Sequence, residues 1–211
     1  NSEYGRFMDE VKDMSLFPLW ERVGGLKPGT ACVPAHWSYA QVRPQLMRAC
    51  GLVTKKEAER RVLCLENPSL RGTTFIATSL FAGLQIIMPG EVAPSHRHTP
   101  SALRFIVEGE GAYTPVAGEK LPMAPGDFVV TPAWAWHGHG NLGTVPVVWL
   151  DGLDTPFARF FGAAFREEYP DDKQPIDRPE GESAAMYGMN LIPDEYRSDG
   201  HSTPVLIYPY D

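Results

Sequence analysis

The chain has 211 residues, 43% of them apolar, enough to bury the core of one large domain. Its formal net charge is −7 and no block of Lys or Arg stands out, which argues against a nucleic-acid or anionic-membrane surface. Three widely spaced cysteines without a C-x-x-C pair argue against a disulfide framework and for a reducing cytoplasm. No run of about eighteen apolar residues is present, and residues 1 to 25 lack a signal-peptide core. The chain opens at Asn1 rather than Met, as expected of numbering that starts inside a longer gene product.

Residues 1 to 71 read as a helical arm. Phe7, Met8, Val11 and Met14 form an apolar stripe at helical spacing. SYAQVRPQLMRACG predicts a second helix, with Pro44 accommodated in its first turn and Gly51 as its stop. TKKEAERRVL opens with Thr54 and has Glu57 three residues on, the pattern of a capping box. That helix is expected to run to about Arg61, before the strand-like VLCLE.

Residues 72 to 156 read as strand and turn. TTFIATSLFAGLQIIMPG, ALRFIVEGEGAYTPVAGEK, GDFVVTPAW and PVVWLDG are short apolar or β-branched runs punctuated by Gly and Pro. Such spacing predicts an all-β sandwich or barrel, not βαβ units. From 157 onward, ARFFGAAFREEY predicts a closing helix, and EEYPDDKQPIDRPEGESAA a polar linker or surface strap. The final TPVLIYPY is strand-like with nothing after it to pair with, which hints at truncation.

Of six histidines, His36 and His201 are isolated and read as ordinary residues, whereas His96, His98, His137 and His139 form two H-x-H pairs. On a strand, residues two apart point to one side. Gly-rich turns between the pairs would fold the second back beside the first. Three neutral imidazoles can bind a divalent first-row metal and leave positions open for substrate, although composition does not name the metal. Arg104, six residues after His98, lies in the apolar run ALRFIV. An arginine there needs a reason, and a substrate carboxylate held through a bidentate contact supplies one. Phe81, Gly83 and Gln85 alternate along one strand and share a face. Trp134, Trp136 and Trp149 read as core or pocket rim.

Gly90, His96 and His98 have the spacing of the first cupin motif, and Gly126, Pro132, His137 and Asn141 that of the second, so the region resembles a cupin: a mainly β jelly-roll, or double-stranded β-helix, barrel. The usual cupin glutamate is absent, since Ala102 and Leu103 stand at its positions, which implies a three-histidine ligand set. More narrowly, EAERRVL, LFAGLQIIMPGEVAPSHRHTPSALRFIVEGEGAYT, PGDFVVTPAWAWHGHGN, WLDGLD and YPY resemble the gentisate 1,2-dioxygenases and their relatives acting on salicylate or 1-hydroxy-2-naphthoate.

That family is a bicupin. The resemblance implies a helical arm over 1–71, a cupin barrel over 72–156, and over 157–211 a helix, a linker and the start of a missing second cupin. It implies Fe(II) held by His96, His98 and His137. His139 would contact substrate one shell out, although two-apart neighbours share a face and the assignment of His139 as ligand stays open. Arg104 would take the substrate carboxylate and Arg60 would lie near substrate. Asp151 would orient a histidine or a substrate group. Phe81, Gly83 and Gln85 would form the wall, Gly83 leaving room for the ring and Gln85 bonding near the metal.

The implied reaction is extradiol-type cleavage of gentisate by O2 to maleylpyruvate in a cytoplasmic homo-oligomer, often a tetramer. Salicylate or 1-hydroxy-2-naphthoate cleavage and a non-catalytic cupin binding module are the alternatives. A zinc or manganese cupin isomerase fits the surrounding residues less well. Gly138 departs from the pattern, since many relatives carry aspartate there.

Overall fold

The computed structural model describes residues 2–22, 31–171, 173–188 and 205–210. The chain divides into two compact units, 1–30 and 31–211. In the first, helix α1 (Glu3–Asp13) is capped by Ser2, whose hydroxyl accepts the Gly5 amide at 3.1 Å. A single 3-10 turn, Leu19–Arg22, follows. It is held to α1 by Phe7 stacked on Trp20 and by Trp20 Nε1 donating to the Tyr4 hydroxyl at 3.0 Å.

The second unit is built of two antiparallel sheets. Its strands are β1 (Arg61–Cys64), β2 (Phe75–Ala77), β3 (Leu80–Ile87), β4 (Val92–His98), β5 (Ala102–Glu108) and β6 (Ala112–Val116). They continue with β7 (Glu119–Met123), β8 (Phe128–Thr131), β9 (His137–Asn141), β10 (Val147–Leu153), β11 (Arg166–Glu168) and β12 (Ile207–Tyr208). Among the described residues, one sheet has the order β1-β3-β10-β5-β8-β12 with β2 also on β3, and the other β11-β4-β9-β6-β7. Ile87, Ile106, Val129, Val147 and Trp149 from the first sheet meet Val116, Leu121 and Met123 from the second, closing the core of a jelly roll. Strand β5 shows how period two builds it: Ala102, Arg104 and Ile106 are buried while Leu103 and Phe105 between them are exposed. No described helix is long and apolar enough to cross a membrane.

Residues before 72 join the barrel's first sheet, since β1 pairs with β3 and α2 (Tyr39–Leu52) packs on the outer face of the same sheet. Pro44 is not in the first turn of α2 but in its interior, and Gly51 does not stop it, since the helix runs on to Leu52. An interior proline forfeits one backbone hydrogen bond. Burial offsets that loss: Leu46 is fully enclosed against Leu84, Ile86 and Val148. Leu46→Ala is expected to cost about 2–5 kcal/mol, read as a lowered urea midpoint with unchanged slope.

The capping box forms, with the Thr54 amide donating to Glu57 at 2.9 Å, but α3 is a single turn, Lys55–Ala58. Glu59 then turns at φ 52 and β1 begins. The expected closing helix also breaks in two. Helix α4 covers Thr155–Phe160, Gly162 turns the chain at φ 64, and Arg166–Glu168 becomes β11 on the edge of β4. In this extended segment Glu167 lies opposite Arg97 and pairs with it at 2.6 Å.

The Pro-rich segment behaves as a strap where it is described. The Gln174 amide donates to Ser95 Oγ at 3.0 Å, and its side-chain Nε2 donates to the carbonyls of Pro115 and Trp136. Helix α5 (Glu182–Tyr187) is anchored by Ser183, which donates to the buried Glu119. Thr203 and His201 lie outside the described residues, but the apolar run that follows does find a partner: Ile207 and Tyr208 pair with Val129 and Phe128 of β8.

Candidate metal centre

Strands β4 and β9 are antiparallel neighbours, with Ala93 opposite His139 and, past a shift in register, His96 opposite His137. Three rings converge: centroids lie 4.1 Å apart for His96 and His137, 4.7 Å for His98 and His137, and 5.3 Å for His96 and His98. Among the described residues these three offer nitrogen atoms within 4.8 Å of one another, a separation one divalent ion can bridge. His139 stands apart from that set. Its ring is 6.2 Å from His137 and 5.1 Å from Trp149, and its Nδ1 is 2.8 Å from Thr114 Oγ1.

Hydrogen bonds show which nitrogens are available. A carbonyl only accepts, so His137 donates from Nδ1 to Ala135 at 2.9 Å, and His98 donates from Nδ1 to Pro100 at 2.7 Å. Nε2 of His137 is left buried without a protein partner. A polar atom orphaned at the point where three imidazoles meet is what a metal ligand looks like before its ion is considered. His96 differs. Arg60 Nη2 lies 2.6 Å from its Nδ1, and a guanidinium can only donate, so this contact makes Nδ1 the acceptor and leaves the proton on Nε2. To ligate through Nε2, His96 would carry its proton on Nδ1 instead, with the Arg60 contact exchanged.

Burial drives the charges. It pushes His98 down to about 4, and His137, His139 and His96 further below the usual imidazole value, with the neighbouring arginines adding to the effect. All four rings are therefore neutral near pH 7, the form that coordinates a metal. Arg60 itself is lowered to about 10, first by burial and then by repulsion from Arg166 and Arg104.

The opposite sheet supplies the rest of the cavity. Arg104 on β5 and Asp151 on β10 are 3% and 6% exposed and directly paired in register. Arg104 donates from Nη1 to Thr131 Oγ1 at 2.6 Å, and its Nε is 3.2 Å from Asp151 Oδ1, close enough for ion pairing but not aligned for a hydrogen bond. Asp151, expected to orient a histidine or a substrate group, is ion-paired with Arg104 and accepts Trp149 Nε1 at 3.0 Å. Burial pushes its carboxyl up from the ordinary range, with Arg104 pulling the other way.

A cavity of about 190 Å³ lies between these residues, lined by Arg60, Phe81, Gln85, Arg104, Asp151 and the four histidines, with Val62, Leu153 and Arg166. A larger groove of about 670 Å³ along β6 and β7 shares no lining residue with it.

Gly83 shares a strand face with Phe81 and Gln85, and a Cβ there would meet Val62 Cγ1 at 2.6 Å and Phe81 Cζ at 3.2 Å, so its lack of a side chain makes room for these two lining residues. Gly138 lies on the far face of β9, where a Cβ would sit 2.8 Å from Ser95 Oγ. Arg166 is a lining residue that sequence reasoning missed, because its segment reads as helix. Its strand position opposite His98 is what turns it to the cavity. Trp149 is core and Trp134 is partly exposed, as their apolar contexts allow.

The family profile for the cupin domain matches residues 83–152. A gentisate 1,2-dioxygenase of Aquipseudomonas alcaligenes is 50% identical over 99% of this chain and 61% of its own length. One from a Ralstonia species is 42% identical over 97% of this chain and 58% of its own length. Among solved structures, the salicylate 1,2-dioxygenase of Pseudaminobacter salicylatoxidans, determined as adducts with gentisate, superposes with a TM-score of 0.91 at 32% identity, covering 100% of this chain and 59% of that one. The chain thus spans about three fifths of the length of the relatives it matches.

Proposed function

The chain is a homologue of the gentisate 1,2-dioxygenases built on a cupin barrel, and from that premise we propose that it opens the ring of gentisate with O2, using Fe(II) held by His96, His98 and His137. The observation that carries this reading is the convergence of three neutral imidazoles, one with its Nε2 buried and unpartnered, on a cavity that also holds a buried arginine.

The donor set fits the ion. Three neutral nitrogens leave a divalent metal its full charge, which suits a substrate that arrives as a carboxylate and a phenolate on adjacent carbons. Bound there, Fe(II) would supply Lewis acidity to the phenol and electron transfer between the ring and O2. The remaining work falls to the protein. Arg104, fixed by Thr131 and Asp151, presents a preorganised cation to the substrate carboxylate. His139, held through Nδ1 by the Thr114 hydroxyl, keeps a ring edge beside the ligand His137 and is placed to steer a proton at a substrate hydroxyl. Phe81, Val62 and Leu153 give an apolar wall against which an aromatic ring can lie, with Gln85 as a polar contact beside it. Arg60 would add a second cation near the acid. Cleavage between the carboxyl-bearing carbon and its hydroxylated neighbour would yield maleylpyruvate.

Oxygen-electrode assays on anaerobically iron-loaded protein test the reading. Gentisate should drive stoichiometric O2 uptake with the appearance of a conjugated ring-opened product. No uptake with gentisate, from protein shown to hold iron, would overturn it. The apolar wall of Phe81, Val62 and Leu153 would also admit salicylate, which lacks the 5-hydroxyl. Uptake with salicylate and none with gentisate would reverse the order of the two.

A further inference from the structure

Between His96 and His98, both aimed at the cavity, Arg97 points to the outer face of β4. Its guanidinium carbon lies 4.3 Å from the ring centre of Trp134 and 4.4 Å from that of Trp136, and its Nη2 is 2.6 Å from Glu167 Oε2. Both tryptophans belong to the segment that leads into His137. Trp134 adopts φ 64, a backbone region that bulky side chains avoid, and its amide donates to the His98 carbonyl at 2.8 Å. The two rings are backed edge-on by Phe165 at 5.3 Å and Tyr169 at 4.9 Å, which flank β11. One cation therefore joins the strand of two candidate ligands, the approach to the third, and the edge strand beside them.

We propose that Arg97 is a positioning residue for the metal centre: gripping Trp134 and Trp136, it locks the backbone that projects His137 against the strand bearing His96 and His98. The three imidazoles are then held at ligand separation before an ion arrives. This rests on the reading of those histidines as ligands. A single exposed cation–π contact does little for a fold. Two on one guanidinium, beside a strained tryptophan bonded to a ligand's own carbonyl, concentrate their effect on one loop.

Electrostatics supplies a sign that separates positioning from charge. Arg97 is a cation near a cation site, so by Coulomb's law alone its removal would tighten metal binding. Loss of positioning would weaken it. The test is Co(II) titration of the metal-free full-length protein, followed by visible absorption, for wild type, Arg97→Ala and Arg97→Lys, with Arg43→Ala as a surface-arginine control. Arg97→Ala should weaken Co(II) binding about ten- to a hundredfold, the range for residues that support ligands, and alter the ligand-field spectrum. Arg97→Lys, which keeps the charge but not the planar stack, should weaken it less but measurably, and decides the matter if the alanine variant does not fold. Unchanged or tighter binding with an unchanged spectrum in the folded variants would overturn this inference alone. A wild-type protein that takes up no Co(II) would overturn it together with the metal reading.

Discussion

Replacing His137 with alanine is expected to abolish metal retention and ring cleavage together while leaving the barrel folded. Its Nε2 is one of two buried atoms of the site without a hydrogen bond, the other being Arg104 Nε, and an unsatisfied buried polar group already costs about 1–3 kcal/mol. Removing the ring therefore relieves one cost as it creates a small void, and the metal-free variant should melt close to the metal-free wild type. The difference appears when metal is added. Wild type at a hundredfold excess over the dissociation constant gains about 2.7 kcal/mol, and the variant should gain almost none. Activity should fall beyond the roughly 10–100-fold typical of residues one shell out. His139→Ala is the internal comparison: its Nδ1 is engaged by Thr114, so metal stabilisation should persist while turnover drops. Calorimetric scans with and without metal decide this, and a His137→Ala protein that holds one equivalent of iron would end the assignment.

Arg104→Leu is the second large effect, and it divides into two parts. As a carboxylate anchor, Arg104 contributes a charge-assisted hydrogen bond worth about 1.5–3 kcal/mol, so kcat/KM for gentisate should fall roughly ten- to a hundredfold, mainly through KM. As half of a buried pair, its loss strands Asp151 at a cost of about 3–5 kcal/mol. The second part depends on pH. Burial already raises the Asp151 carboxyl, and without the guanidinium it would rise further above the unfolded value of about 3.9. A group whose folded pKa is raised favours folding while protonated and loses that contribution as pH climbs through the folded pKa. The stability deficit of Arg104→Leu should therefore be smallest at acid pH and grow toward neutrality. Arg104→Lys keeps a charge but cannot satisfy Thr131 and Asp151 together, so it should recover stability better than KM. Adding Asp151→Leu to Arg104→Leu should restore stability and not KM. Urea denaturation across pH alongside steady-state kinetics separates the two, and an unchanged KM in Arg104→Leu would remove the anchor role.

What could be read from the residues follows from which signals are local. The two H-x-H pairs announce themselves because strand periodicity puts both rings of a pair on one side, and glycine-rich turns permit the strands to meet. The capping box of Thr54 and Glu57 is likewise a matter of four residues. The interior position of Pro44 is not legible locally, because it depends on the burial of α2 through Leu46 against a sheet formed by distant residues. FREEY looks helical in isolation and becomes a strand only because β4 has an open edge and Arg97 awaits Glu167. Arg166 was hidden for the same reason. Asp151 could be marked as special from WLDGLD, but that its partner is Arg104 rather than a histidine depends on a register between β10 and β5 that no motif encodes.

The strap's hold on Ser95 has a consequence for how this barrel can drift. Ser95 accepts the Gln174 amide from one side and crowds Gly138 from the other. A Cβ at 138 would press on that hydroxyl, which would have to swing aside and loosen its grip on the chain crossing outside. The cost of a side chain at 138 therefore depends on what stands at 95 and on how firmly the strap is held at 174.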